Sequence, residues 1–332
     1  MPTDLSALYP EFTNLIIQTY FFWVYDIWVQ PDWTKFTQVV PSTKDAEFYP
    51  TLTAPPRMGL FEGTRRFGDA GEKLSYMIWN AEYDAGISFK RSVFQDDQYG
   101  ILMKKISDLA VEGKRMPMEL AFNVINYGAA TYGQTGYAVG QDGQPLFSAS
   151  HPGKVDLVPT DTQSNTNGAV TALTIDNLYA ALAAMKTIYD NQGRPMWIEG
   201  DTLLIPTALG MVARQILHST LLFAVAPRSG DTATPTKNIP TANIFNVEDV
   251  NAPIKTIVES PYISSTTAWD VVCTSRAAKA VTLQERMPPE LTVKMDPNSS
   301  DLVFLNNMYY ASIFARWGAA PGDWHMIYQG ST

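Results

Sequence analysis

The sequence predicts an α+β protein, and three stretches carry the prediction. Residues 53–94 read as a long β-hairpin, residues 96–127 as a long amphipathic helix, and the tail from Ile254 as a series of strands. Taken in order, residues 1–52 come first and resemble an arm more than a domain. An aromatic segment with Tyr20, Phe21, Phe22, Trp23, Tyr25 and Trp28 leads into a stretch punctuated by Pro31, Pro41 and Pro50. That apolar surface is too large to leave wet on a soluble monomer. The expectation is an amphipathic arm laid on another subunit, dispensable for folding through residue 35.

The hairpin expectation rests on aromatic and β-branched residues broken by Gly59, Gly63, Gly68, Gly71 and Gly86. Its second arm alternates at Ile87, Phe89, Arg91 and Val93. Arms of about 15 to 20 residues would reach roughly 50 to 65 Å, against a radius of gyration of about 20 Å for a compact chain of this size. Arg57, Glu62, Arg65, Arg66, Asp69, Glu72 and Lys73 crowd the tip, which argues against burial in its own domain. A lone two-stranded ribbon is marginal in water, so the tip is expected to rest on another molecule. Glu62, Arg65, Arg66 and Asp69 are candidates for intersubunit ion pairs, with a solvated turn as the alternative.

Asp96 and Asp97 can cap the following helix. Leu102, Ile106, Leu109, Gly113, Leu120, Val124 and Tyr127 keep one stripe in phase along it. Pro117 predicts a kink, in one rod or between two coaxial helices. Five glycines in residues 128–143 suggest a flexible connection, with Asp142-Gly143 as a turn. A helix over about 174–191, a buried strand at 202–205 and a helix after Pro206 imply a sheet with helices packed on it. Residues 227–242, with three prolines, read as a loop. Strands are expected at 254–258, 269–273, 291–295, 307–316 and 324–328, the last three returning to the long helix.

Several of these stretches resemble a known family. Ser92 to Gly100 (SVFQDDQYG), the helix carrying Met116, Pro117, Glu119, Leu120 and Phe122, and Gly143 to Pro152 (GQPLFSASHP) resemble the Mu-like major head subunit family. Val39 to Thr43 (VVPST) and the Trp317, Gly318, Asp323, Trp324 pattern fit the same resemblance. It implies the Hong Kong 97-type phage capsid fold: N-terminal arm (1–52), extended loop (53–94), peripheral domain (95–144 and 286–332) with spine helix 96–127, and central, axial domain (145–285). It further implies a major capsid protein assembling with itself, as hexamers and pentamers, into an icosahedral shell around double-stranded DNA in the virion of a tailed bacteriophage or prophage. Implied partners are a separate scaffolding protein, since no long charged N-terminal extension is present, a portal and a decoration protein. An encapsulin-like compartment shell and a soluble α/β enzyme are the alternatives weighed.

Composition agrees with a globular chain able to bury a core: 332 residues, 45% hydrophobic and 17% charged. One cysteine, Cys273, excludes an intrachain disulfide framework and fits a reducing cytoplasm. The net charge of −9 is spread evenly, with 12 basic and 17 acidic residues in 1–150 and 12 and 16 in the rest. With no basic patch, sequence-specific nucleic-acid binding is not expected, while a repelling lumen suits a DNA container. No signal peptide and no membrane span are expected, because Leu15 to Val29 is short and carries Gln18, Thr19 and Asp26.

No catalytic, cofactor-binding or metal site is expected. His151, His218 and His325 are widely separated and lack ligand spacing. A Ser148 or Ser150 nucleophile with His151 is conceivable chemistry, but sequence neighbours rarely supply that geometry, and a packing histidine is the preferred reading. No phosphate-cradling glycine motif or nucleophile elbow is present.

Overall fold

The computed structural model describes residues 10–27, 32–52, 72–95, 101–130, 139–168, 171–219, 221–224, 239–243, 245–247, 249, 252–296 and 300–331, with positions 58, 60, 61, 63, 65 and 67 of the hairpin tip. Six α-helices lie among them: α1 (Pro10–Ile27), α2 (Arg91–Gln95), α3 (Ile101–Asn126), α4 (Ile175–Thr187), α5 (Gly210–His218) and α6 (Asp301–Asn306).

The first sheet is built on the two longest strands among the described residues. β1 (Thr37–Pro41) runs parallel to β12 (Val281–Lys294), β12 pairs antiparallel with β13 (Met308–Pro321), and β13 pairs antiparallel with β4 (Ala81–Lys90). The second sheet has the order β10 (Thr256–Ser260), β7 (Thr202–Pro206), β11 (Trp269–Val272), β14 (Ile327–Ser331). Three small ribbons complete the set: β2 (Ala46–Leu52) with β3 (Glu72–Trp79), β5 (His151–Pro152) with β6 (Thr162–Gln163), and β8 (Leu221–Ala224) with β9 (Ile239–Ala242).

Helix α3 runs unbroken through Pro117, as one rod; Asp96 and Asp97 lie outside the described residues. Ile106, Leu109, Gly113, Leu120 and Val124 are buried, whereas Tyr127 sits in the turn beyond the helix and is exposed. Gly113 is needed for contact. A Cβ there would lie 3.2 Å from Pro289 Cβ and 3.4 Å from Ile313 Cδ1, so glycine lets the helix approach the sheet closely. The N-terminal half of α3 shares a core with Ile17 and Phe21 of α1, Phe89, Leu291, Ile313 and Val303. Its C-terminal half joins the larger core around Phe122, Leu178, Leu203, Val271 and Trp269. Two cores therefore meet along one helix. Helix α4 starts at an N-cap, the Thr174 side chain accepting from Asn177 N–H.

Three expectations are corrected. First, the hairpin pairs β2 with β3, from Ala46↔Trp79 to Leu52↔Glu72 with a register shift between Thr51 and Leu52, so its first arm begins upstream of Thr53. The alternation at Ile87 and Phe89 belongs to β4, which has left the hairpin to join β13, and Arg91 and Val93 lie in α2. Paired arms of 7 and 8 residues span only about 23 to 26 Å at roughly 3.3 Å per residue. Second, the amphipathic segment packs on its own subunit: Ile17 and Phe21 are core residues beside α3. Third, residues 324–326 form a 3-10 turn, and 327–331 pair with β11 in the second sheet without returning to the spine helix. Strand β12 also runs through residues 285 and 286, where the sequence reading places a domain border.

Candidate assembly surfaces

The hairpin is fixed firmly at its base. Tyr76 and Ile78 pack on Ala320, with Tyr49 against them, and Tyr49 Oη–H donates to Gln284 Oε1 at 3.0 Å. Asn80 Nδ2 donates to Lys44 O at 2.7 Å and Ser42 Oγ at 2.9 Å. The Glu47 carboxylate accepts from the N–H groups of Thr43 (2.9 Å) and Lys44 (3.1 Å), and the Thr43 bond first of all holds its pKa below the ordinary value. Arg316 adds an ion pair to Asp45 at 2.8 Å and a looser one to Glu82 at 3.6 Å. Neither Asn80 nor Gln284 stands out in the sequence, because isolated amides carry no periodic signal.

Beyond this base the described tip residues are exposed. Met58, Leu60, Phe61 and Phe67 are exposed, Phe67 at 89%. Arg65 is exposed as well and makes no ion pair among the described residues. Glu62, Arg66 and Asp69 lie outside the described residues, as does Trp28. The sequence reading stresses the charges of this tip, yet its described side chains are mostly apolar.

Helix α1 divides into two faces. Phe21 is fully buried and Tyr20 packs beside it, whereas Phe22 and Trp23 point outward at 48% and 58% exposure. Helix α6 shows the same division: Val303 is buried, and Leu302, Phe304 and Leu305 are exposed. No isolated monomer gains from leaving such side chains wet. No helix among the described residues is long and apolar enough to cross a membrane.

His151 is fully buried, with Nδ1 2.5 Å from Asp142 Oδ2 and Nε2 3.2 Å from Asn165 Oδ1. Its ring stacks on Trp324 at 4.0 Å and 3°. Asn165 donates to the carbonyls of Leu146, Trp324 and Ile327, at 2.7, 3.3 and 3.4 Å. Both imidazole nitrogens are thus engaged in tying the segment after α3 to the start of β14. Ser148 Oγ lies against Gln144 Oε1 and Ser150 N, not against the ring. Gly143, at φ +78°, makes the turn that presents Asp142. Asn165, the hub of this cluster, carries no signal in the sequence that would single it out.

The family model for the "Mu-like prophage major head subunit gpT" matches residues 19–172, 168–233 and 245–332, most of the chain. The chain belongs to this family. Solved structures place the chain among phage capsid folds. It matches the procapsid of bacteriophage JBD30 with TM-score 0.52 at 20% identity, over 100% of this chain and 76% of that one. A chain of the bacteriophage JBD30 capsid gives TM-score 0.50 at 14% identity, over 91% and 65%. The mature capsid of bacteriophage PhiM1 gives TM-score 0.53 at 11% identity, over 91% and 87%. At these identities the likeness shows the fold, the Hong Kong 97-type capsid architecture expected from sequence. The chain spans about two thirds of that JBD30 capsid chain. Among curated proteins none is similar enough to match.

Proposed function

We propose that this chain is a major capsid protein whose copies form the icosahedral head of a tailed phage or prophage around double-stranded DNA. The observation that carries the reading is the family match across most of the chain. The surfaces supply a physical mechanism. A body with two closed cores presents exposed apolar side chains on the hairpin tip, on α1 and on α6. Such surfaces make heterologous contacts between copies, and these close into rings and shells when the rotations permit. Many moderate interfaces, each near the roughly 1,600 Å² of standard complexes, keep assembly correctable before it locks.

Hexamers and pentamers as the building units, a separate scaffolding protein, a portal and a decoration protein belong to the same proposal, as does assembly in the host cytoplasm. DNA would be enclosed without sequence readout, which a net charge of −9 with no basic cluster favours. Negative-stain microscopy of the purified protein tests the reading: shells are expected, and a protein that stays monomeric at high concentration contradicts it. Nucleic acid inside native particles distinguishes a phage head from a protein compartment.

A further inference from the structure

Three stretches of chain connect the two sheets, between β4 and β7, between β11 and β12, and between β13 and β14. All three meet at the turn 322–326. Gly322 and Asp323 donate backbone N–H bonds to the carbonyls of Ala280 and Lys279, at 2.8 and 2.9 Å, and Cys273 N–H donates to Met326 O at 2.8 Å. From the first connection, His151 stacks on Trp324 at 4.0 Å, and His325 stacks on the same indole at 3.8 Å. Two rings that close to one indole occupy its opposite faces. His325 Nδ1 in turn lies 2.5 Å from Asp323 Oδ1.

The hydrogen bonds around His151 constrain its protons. Asn165 Nδ2 donates to three carbonyls, while its Oδ1 accepts from Ser148 N–H at 3.1 Å. The Nε2 that faces this oxygen must therefore donate as well. Nδ1 faces Asp142 Oδ2 at 2.5 Å, so a second proton lies on that line. With Asp142 ionised the ring is an imidazolium, a cation that the Trp324 face favours. Without that second proton the Nδ1 lone pair would oppose the carboxylate in a fully buried site. We infer that His151 is a proton-held latch: protonated on both nitrogens it fixes the three connections, and with them the angle between the sheets, and loss of one proton releases them. The latch favours the proton-bound state, so it weakens as pH rises. It is a property of the fold and stands whether or not the chain forms shells.

The other groups around the turn leave this pairing undisturbed. Burial pushes the Asp323 carboxyl up, but the bonds from His325 and the Arg276 charge outweigh it and hold it below its ordinary value. Lys279 Nζ donates to Thr274 O at 2.6 Å, and Arg276 donates to the carbonyls of Met196 and Trp197. Burial raises the Tyr76 phenol of β3 and the Asp323 charge adds to the rise, so that ring stays neutral. Among the described residues the one ion pair of Asp142 is with His151.

Nitrogen NMR of the full chain with isotope-labelled histidine, in solution or in sedimented particles, counts the protons directly. His218→Gln with His325→Gln identifies the His151 signals by removing the others. At pH about 7.5, where a free imidazole of pKa about 6.5 is mostly neutral, both His151 nitrogens are expected at the protonated shift. An unprotonated Nδ1 or Nε2 overturns the latch. Amide hydrogen exchange over residues 322–330 reads the hinge. After correction for base catalysis, protection is expected to fall at the same pH at which one ring nitrogen loses its proton. Asp142→Asn gives Nδ1 a neutral donor in place of the carboxylate, so its ring is expected to carry one proton and its protection to be independent of pH. Protection that ignores the state of the ring in the native chain, or that falls equally in Asp142→Asn, overturns the gating. Should that variant not fold, the paired titration of ring and amides in the native chain decides alone.

Discussion

The second sheet and the hairpin tip place similar side chains in opposite settings. In β7 every residue is buried, and Trp269, Val271 and Val272 of β11 are 1% exposed or less. At the tip Met58, Leu60, Phe61 and Phe67 all face solvent. Both regions are apolar, but only the sheet is satisfied within the chain. Folding free energy is thus concentrated in the body, and we propose that assembly draws on the tip and the outer faces of α1 and α6. The difference separates two kinds of mutation, those that unfold the subunit and those that leave it folded but alone.

The largest effect is expected in the body. Leu109, 5% exposed, packs in the core that joins α1, α3, β12 and β13. Leu109→Ala should cost about 2 to 5 kcal/mol of subunit stability, read from denaturant midpoints. An unchanged midpoint would remove α3 from its place between the two cores. The outer face of α1 should behave in the opposite way: Phe22→Ser with Trp23→Ser should shift stability by no more than about 0.5 kcal/mol and lower the yield of shells. A large loss of stability would mean that this face is core and that the comparison is drawn in the wrong place.

A smaller, pH-dependent effect is expected inside the second sheet. Asp270 is 2% exposed, its Oδ1 has no hydrogen-bond partner among the described residues, and burial pushes its carboxyl well above the ordinary range. A folded-state pKa above the unfolded one means that the fold prefers the protonated form. The associated stability is full below the ordinary carboxylate pKa of about 4 and is lost as pH rises toward the folded value. Asp270→Asn should therefore be more stable than the native chain at neutral pH and flatten the dependence on pH between these limits. An Asn variant less stable at neutral pH would show that Asp270 is ionised and paired.

Much of this organisation is legible in the residues. The stripe Ile106, Leu109, Leu120, Val124 locates the spine helix because helical periodicity survives over many turns, and Thr202 to Ile205 announces a buried strand. Local pattern cannot say which strand an alternating segment pairs with. The Ile87 and Phe89 alternation is thus real, while its partner is β13 and not the first hairpin arm. Tyr20 to Trp28 read as one apolar surface, although a helix turns Phe21 inward and Phe22 outward. Of the candidate contact residues, Phe22, Trp23 and Arg65 lie exposed and Tyr20 packs on the body.

The central claim, that the tip assembles what the body folds, is tested most directly by sedimentation of Arg65→Glu with Arg66→Glu at low salt. Each ion pair at a rim is worth only about 0 to 1 kcal/mol, but every subunit repeats the contact, and charge reversal sets like charges together throughout the shell. The account predicts native circular dichroism, small oligomers in place of shells, and partial recovery at high salt through screening. Full-sized shells at the native concentration and low salt would contradict it.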